Sequence, residues 1–446
     1  MSKERDGRAS IALYKGCLID WCTFENHVAQ TRLNILRNFS DVGRYAPKIL
    51  NLCEDRYHFL VVFTANILEG RTTVMPANRS EGELERLTVI NNDIQLINDS
   101  EIAAICQIDL LDSSNGVPWD INLVPDTMIV AELYTSGSTG APSANPKTWA
   151  QLVNGAQQVC VRFGLDIFSQ TSIIATVPPQ HMFGFEMSIV LPLICGVTIH
   201  QGQPFYPLDI QHALCEMPSP RILVTTPIHL KACVTLKNNW PDIEFVMSAT
   251  APLYEEVAHQ IEAVLNTDVK EVYGCSEVGA IATRHMTRDL NWKLLPDYSL
   301  TVDDGAALFN APKILEPISL PDKFEILPDG YFQLVGRASD MIKIGGKRGS
   351  LADITARIKS LPGVDDAAVF RSEHKENQRE RLAALVVAPS LTSEQLREAL
   401  LYEIDPIFLP RPLCVVPVLP YNSTGKLTKA DLLISLDNHT KEKKLC

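Results

Sequence analysis

The chain has 446 residues, 46% hydrophobic and 21% charged, with a formal net charge of -13 and a sequence pI near 5.3. These proportions exclude disordered and fibrous classes and fit a compact protein of two or three domains. The acidic balance argues against broad nucleic-acid binding, because a phosphate backbone demands a basic face. The 11 cysteines are scattered, without CxxC pairs or Cys/His clusters at metal spacing. Free thiols in a reducing cytoplasm are therefore expected, with neither disulfides nor a structural metal. The charged residues 1–6 lead into no signal-type apolar core, and the most apolar stretch, 187–199, contains Pro192 and Gly196 and is too short for a membrane span.

In chain order, residues 1–125 alternate in a way that suggests α/β layering: Tyr57, Phe59, Leu60, Val61, Val62 and Phe63 begin an apolar run, and 70–76 reads as a short strand ending at Pro76. Asn78 and Arg79 beyond it fit a polar turn. Met128, Ile129, Val130, Ala131 and Leu133 form a buried strand. It runs into Tyr134-Thr135-Ser136-Gly137-Ser138-Thr139-Gly140-Ala141-Pro142. Trp149, Leu152, Val153, Ala156, Val159, Cys160 and Phe163 then mark an amphipathic helix, so the loop joins a strand to a helix. Its glycines let the backbone turn successive N–H groups toward one point among hydroxyls, as a phosphate cradle requires. Taken alone the string also reads as a surface turn, and it lacks the Gly-Lys-Ser/Thr ending of the familiar nucleotide loop.

The strand 172–177 stops at Pro178-Pro179, and Gln180-His181-Met182-Phe183-Gly184-Phe185 opens a helical segment. Ligands sit at such strand ends in open α/β sheets. His181 there would orient a carboxylate, line a pocket, or simply be a satisfied histidine near the core. A second pair of strand ends follows at 222–227 and 245–253, and the small residues after Met247, among them Ala249, Thr250 and Ala251, would let a flat ring approach the backbone. The strand 269–273 leads into Gly274-Cys275-Ser276-Glu277-Val278-Gly279. Ser276 with Glu277 suits a metal-bound phosphate, although Glu277 would also favour a helix N-terminus. Beyond 300 come short strands around Pro328-Asp329-Gly330, then a small α+β domain from near Ser339 with helices at 354–361 and 393–404 and strands at 367–370 and 382–387. The last motif is Asn422-Ser423-Thr424-Gly425-Lys426.

The segments 134–147, 248–252, 273–277, 336–337 and 425–426 occur in the order and spacing of the adenylate-forming superfamily, which the chain resembles over roughly residues 125–435. That resemblance implies a large layered α/β domain (1–338) that binds ATP and acid, and a small mobile α+β domain (339–446) carrying a catalytic lysine. Thr135, Ser136, Gly137, Ser138, Thr139 and Gly140 would wrap the pyrophosphate, with Lys147 an additional cation. Ala249 and Thr250 would face adenine with Tyr273 stacking nearby, Asp322 and Arg337 would hold the ribose, Ser276 the α-phosphate and Glu277 the magnesium ion. Lys426 would bridge the acid's carboxylate and the α-phosphate. His181, Met182, Phe183, Gly184, Gly274 and Cys275 would line an acid pocket whose apolar, flat walls suit an aromatic or medium acyl acid.

The small domain would rotate at Ser339 or Asp340, exchanging Lys426 for the Gly345-Gly346 loop. The implied cofactors are ATP and Mg2+, with coenzyme A or a carrier-protein phosphopantetheine as acceptor. The longer spacer ending in Lys147-Thr148-Trp149, the compact length and Asp322-Lys323-Phe324-Glu325-Ile326 resemble the ligases of aryl polyene and xanthomonadin-type pigment clusters, which implies a hydroxylated aryl acid. A fatty or short-chain acyl-CoA synthetase and a non-catalytic adenylate-binding module are the alternatives.

Overall fold

The computed structural model of the protein describes residues 9–38, 48–76, 79, 81–91, 94–106, 120–136, 142–165, 171–236, 239–303, 306–337, 341–344, 347–373, 380–404, 406–422 and 425–445. The chain divides into two compact units. The first comprises residues 1–300, 309–318 and 328–331; the second comprises 301–308, 319–327 and 332–446.

The strands of the first unit are β1 (Ser10–Tyr14), β2 (Cys17–Asp20), β3 (Ile49–Asn51), β4 (Thr73–Met75), β5 (Gln95–Ile97), β6 (Ile129–Ser136) and β7 (Pro142–Thr148). They are followed by β8 (Ser172–Ala175), β9 (Thr198–His200), β10 (Arg221–Thr225), β11 (Phe245–Ser248), β12 (Asp268–Cys275), β13 (Gly279–His285) and β14 (Asp289–Leu294). One sheet has the order β5-β3-β4-β6-β7, parallel except for the final antiparallel pair. In the other, β14-β13-β12-β11-β10-β8-β9-β1-β2, the strands from β12 to β1 are parallel. Ile222, Leu223, Val224, Val246 and Met247 are fully buried, as expected of parallel strands covered on both faces.

The apolar run at 57–63 lies in the helix Arg56–Leu68, which is buried along nearly its whole length. A helix apolar on every side belongs inside the protein, and this one packs into the main core. Asp55 starts it, its side chain accepting the Tyr57 N–H at 2.8 Å and the His58 N–H at 3.1 Å. The amphipathic helix is Trp149–Phe163, closed by Gly164 in the left-handed region.

The stretch beyond Gly140 differs from its sequence reading. Residues 142–148 are neither spacer nor linker but strand β7, running back along β6 from Ser136↔Pro142 to Ile129↔Thr148. Two prolines and polar residues hide its strand character, yet both prolines are compatible with an edge strand, where a missing ladder donor is tolerated. The loop therefore joins two antiparallel strands, with the helix one strand later. A second correction concerns the thiols. Cys160 and Cys195 are disulfide-bonded, S–S 2.23 Å, because the helix Trp149–Phe163 packs its buried face on the helix Leu191–Cys195. Cys17, Cys22, Cys53, Cys106, Cys215, Cys233, Cys275 and Cys414 are free, as expected.

In the second unit, a hairpin pairs Asp322–Ile326 with the strand Tyr331–Arg337. The strands Asp366–Glu373, Glu380–Val387 and Leu413–Val415 form a three-stranded sheet. The helices Leu351–Lys359, Ser393–Glu403 and Lys429–Leu445 accompany it. Among the described residues, hydrophobic clusters of this unit centre on Ile354, Ile358, Val386, Leu396 and Leu400, and on Phe370, Leu385, Leu432 and Leu436. Among the described residues no helix is long and apolar enough to cross a membrane.

Candidate active site

Gly137, Ser138, Thr139 and Gly140 lie outside the described residues, and Ser136 is described by its backbone as the last residue of β6. The Thr135 hydroxyl accepts from Asn145 Nδ2 at 3.4 Å. Tyr134, although part of the hydroxyl-rich string, packs into a hydrophobic cluster, where its hydroxyl accepts from Asn91 Nδ2 at 3.2 Å. Alternation along β6 takes it to the opposite side from Thr135.

Lys147 is only 2% exposed, on the strand returning from the loop. Its ammonium donates to the backbone carbonyl of Glu277. Burial lowers its pKa, opposed by the charges of Glu186, Cys275 and Glu277. The sequence pointed to Lys147 as a second cation beside the loop; in the fold its nearest acceptor is the turn that carries Ser276 and Glu277.

That turn links β12 to β13 as an antiparallel hairpin, so Glu277 begins no helix. The Glu277 side chain is exposed and Ser276 is half-buried. Cys275 beside them is pushed up to about 12 by burial and by the Glu277 charge. Tyr273 faces Trp292 at a ring distance of 5.6 Å.

His181 caps the short helix Met182–Phe185, its Nδ1 accepting the Phe183 N–H at 3.3 Å. This assigns the ring proton to Nε2 in the neutral form. Met182 and Phe183 are buried at its foot. A Cβ on Gly184, one of the residues expected to line the acid pocket, would lie 2.0 Å from the Pro178 carbonyl oxygen. A Cβ on Gly274 would lie 2.2 Å from the Gly279 carbonyl oxygen. Both glycines allow backbone to meet backbone. Gly184→Ala should therefore cost about 2–3 kcal/mol, measurable as a lowered thermal midpoint with ATP and acid both absent. An unchanged midpoint would return the residue to the substrate.

Two functional candidates escaped the sequence. Arg56 is fully buried and donates to the carbonyls of Ala175 at 2.9 Å and Val177 at 3.0 Å, and to the Ser188 hydroxyl. It ties the end of β8 to the pocket helix. The other is Glu186, half-buried where the helix passes into the π-helical turn Glu186–Val190, a feature frequent at functional sites. Its Oε2 accepts the Ala280 N–H at 2.8 Å. Burial pushes its pKa up to about 7, against the lowering effects of that hydrogen bond and of Lys147. A charged residue bordering an apolar run was the available signal in both cases.

A carboxyl pKa raised in the folded state means that the folded protein holds a proton the unfolded chain releases, so stability falls as pH rises through about 4.5 to 7. For this half-buried group the fall should be about 1–2 kcal/mol. The difference in unfolding free energy between wild type and Glu186→Gln across that window checks it, and a flat difference refutes it.

At the end of β11, Ala249 is buried and Thr250 has φ +80°, an outlier for a β-branched residue. The buried Thr250 hydroxyl has no hydrogen-bond partner among the described residues. A buried polar atom without a partner at the C-terminal end of a parallel strand suits a ligand that supplies one. In the second unit, Asp322 is buried and directly opposite Arg337 in the hairpin register. Only the backbone of Arg337 is described, and Ser339, Asp340, Gly345 and Gly346 lie outside the described residues. Lys426 is exposed on a tight turn in which its N–H donates to Asn422 Oδ1 at 2.8 Å and its carbonyl accepts the Asn422 N–H at 2.9 Å.

Residues 48–309, more than half of the chain, match the AMP-binding enzyme family. The chain belongs to that family. It is an ATP-dependent, AMP-forming acid–thiol ligase. It is 29% identical over 308 residues to a 4-coumarate–CoA ligase of Halorhodospira halophila, covering 66% of this chain and 73% of that protein. It is 24% identical over 308 residues to a 3,4-dihydroxybenzoate–[aryl-carrier protein] ligase of Bacillus anthracis, covering 66% and 71%. The fold is shared with ATP-bound MatB from Rhodopseudomonas palustris, TM-score 0.82 at 16% identity over 97% of each chain. It is shared too with O-succinylbenzoate coenzyme A synthetase from Bacillus subtilis in complex with ATP and magnesium, TM-score 0.78 at 16% identity over 96% and 98%. The residues of this AMP-binding enzyme fit both groups: Glu277 offers an exposed carboxylate beside the Ser276 hydroxyl, and Thr250 a buried hydroxyl lacking a partner.

Proposed function

We propose that this ligase activates an aryl carboxylic acid, such as a hydroxybenzoate or hydroxycinnamate, and passes it to the thiol of coenzyme A or of a carrier protein's phosphopantetheine. The observation that carries this reading is the buried pair Met182 and Phe183 directly behind the His181 cap, an apolar and aromatic wall beside the only polar group of that short helix. The aryl acids in the names of two relatives, coumarate and dihydroxybenzoate, support it. So does the resemblance to the aryl polyene pigment-cluster ligases.

In this reading the acid's carboxylate oxygen attacks the α-phosphorus of ATP and pyrophosphate leaves. Thr135, Ser136 and the loop through Gly140 hold the pyrophosphate, and Ala249, Thr250 and Tyr273 hold adenine. Asp322 and Arg337 hold the ribose and Ser276 the α-phosphate. Bound magnesium, held by Glu277, would supply positive charge between the two anions. Lys426 supplies the cation between carboxylate and α-phosphate. The second half-reaction, attack of the thiol on the acyl carbon with loss of AMP, follows a swing of the C-terminal domain near residues 339–340.

Acid-dependent ATP–pyrophosphate exchange across benzoates, cinnamates and alkanoates tests the reading. Hydroxylated aryl acids should exceed alkanoates by about tenfold or more in kcat/KM, the discrimination a matched apolar pocket achieves. A preference for alkanoates would replace it with a fatty acyl-CoA synthetase.

A further inference from the structure

The turn bearing Ser276 and Glu277 is held from both sides by the side chains of Lys147 and Glu186. On one side Lys147 donates to the Glu277 carbonyl. On the other, Glu186 accepts the Ala280 N–H at 2.8 Å. Between these contacts stands Gly279, with φ +105°, where a Cβ would lie 2.1 Å from Glu186 Oε1 and 2.7 Å from its carboxyl carbon. Any side chain at 279 would be strained by the backbone and would displace the carboxylate as well. A Cβ on Gly155, in the helix Trp149–Phe163, would stand 3.5 Å from Glu186 Oε1, an ordinary contact, so the carboxylate is packed on that side too.

Glu186 also belongs to the helical segment that begins at the His181 cap, five residues on from the histidine. The same side chain thus reaches from the acid-pocket segment to the turn that presents the nucleotide-facing groups. Only two residues separate Glu277 from Ala280, so an ammonium at the one and a carboxylate acceptor at the other fix the path of the backbone between them.

We propose that Glu186 is a positioning residue that, with Lys147, clamps the 276–280 turn and holds Ser276 and Glu277 in register with the acid pocket. This rests on the assignment of Ser276 and Glu277 to phosphate and magnesium. The required property is an acceptor of the right length at 186, so glutamine retains it and alanine does not.

Three variants, Glu186→Gln, Glu186→Ala and Glu277→Ala, distinguish the possibilities. For each, the equilibrium dissociation constants of ATP with and without magnesium are measured in the absence of acid, alongside kcat and KM for exchange. Glu186→Ala should lower kcat by about 10–100-fold, the cost of a small misplacement of catalytic groups. It should also reduce the magnesium-dependent gain in ATP affinity several-fold, with KM for the acid changed by less than about threefold. Glu186→Gln should restore both quantities to within about threefold of wild type. If Glu186→Ala keeps the full magnesium-dependent gain while Glu277→Ala loses it, the clamp is wrong and the site assignment stands. If Glu277→Ala keeps that gain, the underlying assignment fails. If Glu186→Gln is as impaired as Glu186→Ala, the acceptor role is refuted.

Discussion

Lys426→Ala should reduce acid-dependent ATP–pyrophosphate exchange by about a thousandfold or more, while the ATP dissociation constant moves by less than about threefold. The asymmetry follows from where the charge is needed. Carboxylate and triphosphate repel each other most as the new bond forms, so a cation placed between them stabilises the transition state far more than the ATP-bound ground state. The turn around Lys426 is built by its backbone: the Asn422 side chain and main chain take its N–H and carbonyl, and Gly425 adopts φ +72°. The side chain is exposed, and its removal should leave the thermal midpoint within the small range typical of surface substitutions. Unchanged exchange in this variant would overturn the assignment of Lys426 and favour a non-catalytic adenylate-binding module.

The parallel strands were legible because burial on both faces writes itself as short apolar runs. The apolar beginnings of 222–227 and 245–253 fall within β10 and β11. The amphipathic helix at 149–163 announced itself by period: of the residues the period selects, Trp149, Leu152, Ala156, Val159 and Cys160 are buried and Val153 and Phe163 half-buried. Strand β7 was illegible because an edge strand with Pro142 and Pro146 has neither β-propensity nor alternation; it exists through its pairing with β6. The helix Arg56–Leu68 was unclear for the opposite reason, since a helix buried all round has no amphipathic signature. The same limit hid Arg56 and Glu186. Sequence patterns report what faces solvent, whereas the work of these two residues is set by which backbone groups the tertiary fold brings to them.

The second large effect belongs to Glu277. Its backbone and side chain are separated in function: the carbonyl receives the Lys147 ammonium, and the carboxylate is exposed. Alanine keeps the first and deletes the second, so Glu277→Ala removes the carboxylate proposed to hold magnesium while the Lys147 contact to the turn remains. Turnover should fall by about a hundredfold or more, and the magnesium concentration for half-maximal exchange should rise by about tenfold. Stripping the metal with a chelator should abolish exchange in wild type, and readdition should restore it at a lower concentration than in the variant. Glu277→Gln should resemble alanine rather than wild type, because an amide keeps the shape and the oxygen but not the charge that favours a hard cation. Wild-type magnesium dependence in either variant would move the metal site elsewhere and leave the exposed carboxylate of Glu277 without a part in the chemistry.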